Sequence, residues 1–66
     1  MNAYQAPTPL LTAKEAAVWL ATSEAALSQL RYRNEGPAYV QLGRAVRYQV
    51  ADVQAFIDAA VVRTSR

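Results

Sequence analysis

Two helix-start signals follow one another closely, at Thr12 and at Ser23, and the interval admits only a short helix and a tight turn. Thr12-Ala13-Lys14-Glu15 is a capping box. The threonine hydroxyl accepts from the amide three residues on, and the Glu15 side chain reaches back. Leu11 ahead of the cap can staple onto Ala16. The first helix is read to about Leu20, with Ala16, Ala17 and Leu20 as its buried stripe and Trp19 at the border. Ala21-Thr22-Ser23 breaks this pattern. Ser23 is a good N-cap, and Glu24 suits the positive end of the next helix dipole. The second helix is read over about Glu24 to Asn34. Ala26, Leu27, Leu30 and Asn34 share one side of it; Ala25, Ser28, Gln29 and Tyr32 share the other. Two short helices joined by a turn of about three residues form a helix-turn-helix unit.

Gly36-Pro37 is expected to stop the second helix. Tyr39–Leu42 and Ala45–Tyr48 then read as two short strands around Gly43-Arg44. Aromatic and β-branched residues flank a two-residue link, which marks a hairpin. The Gly-first order suits a type II′ turn. Such a hairpin is too small to stand alone and must lean on the helices. A third helix is read over about Val50 to Val61, where Val53, Phe56, Ile57, Ala60 and Val61 repeat as a wide apolar face. Trp19, Tyr48 and Phe56 are expected in the core, because small domains rely on buried aromatics. Met1–Pro9 reads as a flexible lead, since Pro7 and Pro9 favour extended chain. The domain proper is read over 10–62, and 63–66 as a short basic tail. The expected class is mainly α with a small β-hairpin: a winged helix-turn-helix.

A chain of 66 residues has room for one domain and a small core. It has no Cys and no His, so disulfides, finger-type zinc clusters and the commonest general base are excluded. The carboxylates Glu15, Glu24, Glu35, Asp52 and Asp58 are dispersed, and the only glycines are Gly36 and Gly43, so no phosphate-cradling loop exists. The expectation is therefore no enzyme, no catalytic or metal-binding residues and no cofactor. No apolar run reaches the roughly 18–20 residues of a membrane span, and no secretory leader is visible. A reducing cytoplasm fits the lack of Cys.

The net charge is only +2, but its distribution is uneven. Arg31, Arg33, Arg44 and Arg47 lie in one short stretch opposed only by Glu35. A basic patch on a small domain is an electrostatic footprint for phosphate, although arginines on a solvated surface are also commonplace. On the outer face of the second helix, Gln29 can pair bidentately with adenine and Ser28 can bond several base edges. Ala25 allows close approach or a thymine-methyl contact, and Tyr32 can donate to a phosphate. The same four residues would also serve as a plain exposed helix face. Arg31 and Arg33 suit phosphates on either side of a groove; the alternative is exposed pairing with Glu35 or Glu24. Arg44 at the hairpin tip can enter a narrow minor groove, where the potential is most negative. By alternation Arg47 points away from Val46 and Tyr48, as a phosphate clamp or a cross-strand partner.

Leu11-Thr12-Ala13-Lys14-Glu15-Ala16-Ala17, then Thr22-Ser23 with Leu27, Leu30 and Arg31, resembles the start of the excisionase and AlpA-like branch of MerR-type winged helices. Gly36-Pro37 and Leu42-Gly43-Arg44 with Val46-Arg47-Tyr48 resemble that group's wing, and Asp52–Ile57 its closing helix. The match runs from about Leu10 to Ile57 and extends to phage excisionases, those of mycobacteriophages among them. The resemblance implies sequence-selective binding of double-stranded DNA, with the second helix in the major groove and the wing at the adjacent minor groove. It also implies an architectural recombination factor. Such a factor binds attachment-site arms cooperatively beside further copies of itself, bends the DNA and assists a phage integrase. A small AlpA-like transcriptional regulator is the alternative, and a protein-interaction module a third. Two departures from the group stand out: Ala21 stands where many relatives have Gly, and Ser28-Gln29 where relatives often have basic residues. No heptad run is present, so a monomer is expected in solution.

Overall fold

The computed structural model describes residues 9–64; the lead before Pro9 and the last two residues of the basic tail lie outside the described residues. The elements run β1 (Leu10–Thr12), α1 (Ala13–Trp19), α2 (Glu24–Tyr32), β2 (Val40–Leu42), β3 (Ala45–Gln49) and α3 (Val50–Ala60). This is a winged helix-turn-helix: three helices and a small antiparallel wing.

Both expected helix starts are built as their chemistry demands. The Glu15 amide donates to Thr12 Oγ1 at 3.1 Å, and the Thr12 amide donates to Glu15 Oε1 at 2.8 Å. The Ala26 amide donates to Ser23 Oγ at 3.0 Å. These bonds satisfy helix N-terminal donors that have no partner inside the helix.

The two helix ends are also alike, and neither depends on glycine. After α1, the Ala21 amide donates to the Val18 carbonyl and the Thr22 amide to the Ala17 carbonyl, with Ala21 at φ +53°. After α2, the Asn34 amide donates to the Arg31 carbonyl and the Glu35 amide to the Leu30 carbonyl, with Asn34 at φ +61°. Both are paired end-bonds closed by one left-handed residue. The second helix is therefore shorter than expected: Asn34 lies outside it and is exposed, so it takes no place on the apolar side. Gly36 does not stop the helix. It makes a separate turn, at φ +86°, where an added Cβ would sit 3.0 Å from Leu30 Cβ. That close approach seats the connection on α2 and leaves Pro37 buried.

The hairpin forms as expected. Val40 pairs with Arg47, Gln41 with Val46 and Leu42 with Ala45, which leaves Gly43-Arg44 as a two-residue loop with Gly43 at φ +61°. Gln41 braces that loop by donating from Nε2 to the Gly43 carbonyl at 2.8 Å. The unexpected piece is β1. Leu10, Leu11 and Thr12 pair with Gln49, Tyr48 and Arg47, so the sheet has three strands in the order β1-β3-β2. Thr12 thus ends a strand and caps a helix at once.

The core is Ala16, Ala17, Leu27, Tyr48 and Val53, with Leu11, Ala13, Leu20, Leu30, Val46 and Ile57 packed against it. Tyr48 is fully buried, as expected of it, and Phe56 is half-buried. Trp19 is a correction: it is 48% exposed. Alanines line the inner stripe of α1, and a core that small does not extend to cover an indole at its edge. The apolar face of α3 is likewise shorter than expected, for Ala60 and Val61 are exposed beyond Ile57.

Candidate nucleic-acid interface

The outer face of α2 is open to solvent. Ala25, Ser28, Gln29 and Tyr32 are all exposed, Tyr32 at 91%. On the inward side Leu27 and Leu30 hold the helix on the core, and Ala26 is half-buried. The nine residues of α2 make a rod roughly 13 Å long at a rise of about 1.5 Å per residue, and a helix about 10–12 Å across with its side chains is of a width that a major groove about 12 Å wide admits.

The four arginines of the basic stretch have different surroundings. Arg33, the cap residue of α2, holds its Nε 3.6 Å from Glu35 Oε1, with both side chains more than half exposed. This is the surface pairing foreseen as the alternative to a phosphate contact. Pairs of this exposure contribute under about 1 kcal/mol, so a phosphate can displace the carboxylate. Arg44 sits exposed in the hairpin loop. A Cβ added to its neighbour Gly43 would meet no atom within 4 Å, so the tip is sterically open. Arg47 is half-buried between Thr12 and Val40 in register, and its Nη1 donates to the Val46 carbonyl at 2.9 Å. It lies on the sheet face opposite Tyr48, as alternation requires.

Arg31 departs from its neighbours. It is in the last turn of α2, half-buried, and its Nη1 donates to the Tyr48 hydroxyl at 2.7 Å. Its Cζ lies 5.8 Å from the centroid of the Tyr39 ring. Tyr39 and Tyr48 themselves stand 6.2 Å apart, tilted by 53°. The end of α2 is thereby joined to the base of the wing within the reach of one side chain. The sequence offers Arg31 as a phosphate contact or as an exposed partner of Glu35 or Glu24, and this node with Tyr48 and Tyr39 is foreseen by neither reading. Its signal was a helix-terminal arginine followed by two tyrosines in and beside the wing strands.

The described residues form no pocket, and no group of three or more His, Cys, Asp or Glu among them is placed to hold a metal ion. No helix among them is long and apolar enough to cross a membrane. The arrangement presents an exposed short helix with hydrogen-bonding side chains and, on a separate element, an exposed basic loop, the two kinds of group that duplex DNA requires.

Comparison with known proteins agrees with this geometry. The pattern of the helix-turn-helix domain matches residues 10–60, which spans every element from β1 to α3. The comparison with curated proteins gives no match. With most of its length matched to one DNA-binding family, the chain belongs to the helix-turn-helix domain family.

Proposed function

We propose that the protein is an excisionase-type architectural factor that binds phage attachment-site DNA, bends it and promotes integrase-mediated excision. The observation that supports the reading is that one domain carries two exposed parts, the outer face of α2 and the Gly43-Arg44 loop, with the end of α2 tied to the base of the wing through Arg31. In this reading Gln29, Ser28 and Ala25 face base edges in the major groove. Tyr32, Arg33 and Arg47 hold phosphates, and Arg44 enters the minor groove. The protein acts by positioning DNA and carries out no chemistry of its own. It works as copies laid side by side, with the integrase as partner.

Footprinting on attachment-site DNA, together with an excision assay, tests this. Repeated protected sites and integrase-dependent excision are expected. Protection of one operator without effect on recombination would identify the second reading, a small AlpA-like regulator with the same surface. Binding that does not fall with salt would instead indicate a protein-interaction module, because phosphate contacts release counterions.

A further inference from the structure

A phenol that is fully buried must find a partner for its hydroxyl. Tyr48 has no exposed surface, and the partner is Arg31, seventeen residues earlier in the chain and on a different element. The bond is short, at 2.7 Å, and charge-assisted. The same guanidinium packs on Tyr39, which lies just before β2, within the distance of about 6 Å at which a cation is drawn to a ring face. Arg31 therefore touches the wing at β3 and at the residue that leads into β2.

We propose that Arg31 is a positioning residue: it sets the spacing between the DNA-contacting face of α2 and the wing loop, and is not itself a phosphate clamp. This rests on the reading of α2 and the wing as the two DNA-contacting parts. A planar guanidinium fixes direction as well as distance, which a flexible ammonium does not. The fork is turned toward Tyr48, while Arg33 and Arg44 stand outward and exposed. Gln29 and Arg44 belong to different elements, and the distance between their contacts on DNA depends on how those elements are fastened.

The test uses the full chain with Arg31→Gln, Tyr48→Phe and the double variant. Without DNA, nuclear magnetic resonance should show slow rotation of the Arg31 guanidinium in the native protein and fast rotation in Tyr48→Phe. Fast rotation in both would overturn the tie itself, whatever the protein does with DNA. On a specific duplex, each single variant should weaken binding about tenfold, and the double variant no further than Arg31→Gln alone. The salt slope should stay unchanged in Arg31→Gln; a fall of about 0.9 would mean a lost phosphate contact and refute the proposal. Duplexes with one base pair inserted between the helix and wing footprints give the decisive arm. The native protein should bind them poorly, and Tyr48→Phe should lose less. Equal losses would show that the tie does not set the spacing. If Tyr48→Phe melts below the assay temperature, Tyr39→Leu removes the ring from a position that is already part-exposed. Failure of the native protein to bind any duplex would count against the proposed function and leave the rotation result standing.

Discussion

Arg44 and Gln29 carry different parts of the proposed binding, and each can be removed without disturbing the core. Arg44 is exposed on the loop, so Arg44→Ala has little burial to lose. Gel-shift affinity should fall while the melting curve stays in place; unchanged affinity would take the wing out of the interface. Gln29 is exposed in mid-helix, and a bidentate base contact is worth about 1–3 kcal/mol of discrimination. Gln29→Ala should therefore lower affinity for the specific site and leave random duplex almost untouched. Arg33→Ala should weaken both alike and reduce the salt slope by about 0.9, because its pairing with Glu35 is exposed and exchanges for phosphate. Two variants with identical profiles on specific and random DNA would mean that α2 does not read bases.

The turn between α1 and α2 closes on a residue poorly suited to it. Ala21 is held at φ +53°, where an L side chain crowds its own backbone at a cost of about 1–2 kcal/mol. The bonds from Ala21 and Thr22 back to Val18 and Ala17 require that conformation, so the strain is retained. Ala21→Gly should raise stability by about 1 kcal/mol, or the melting temperature by roughly 4–8 °C for a domain this small. DNA affinity should change little, since Ala21 precedes the second helix cap and lies off the reading face. A lower melting temperature would show that the lost methyl packs usefully. The group resemblance already marked this position as one where Gly is common; the backbone angle supplies the reason. Asn34 fills the matching place after α2 at lower strain, because short polar side chains tolerate left-handed backbone better than most.

One head offers one short helix and one loop, and small modules of this kind bury roughly 600–1,000 Å² of protein surface on DNA. In the proposed reading, selectivity comes from several copies on adjacent sites. Sedimentation of the free protein should give a monomer at micromolar concentration. Titration onto a multi-site fragment should give a steeper isotherm than titration onto one site. The contact between neighbours would be head-to-tail, which extends along DNA without closing. A stable dimer in the absence of DNA, or independent filling of adjacent sites, would favour an ordinary dimeric repressor.

The parts of this protein that were legible in the sequence are those governed by local chemistry. The capping box at Thr12, the cap at Ser23, the hairpin link at Gly43 and the outward face of α2 each depend on residues close to one another in the chain. Helix caps and two-residue links act through backbone geometry that neighbouring side chains alone specify. What only the tertiary structure decided involves partners far apart in the chain. Leu10–Thr12 has no alternation of its own and becomes a strand because β3 lies alongside. Trp19 is left half exposed because, among the described residues, the small core does not reach that edge of α1. Arg31 is turned to Tyr48 because the buried Tyr48 hydroxyl has to be paired, a demand that exists only once β3 has packed against the helices.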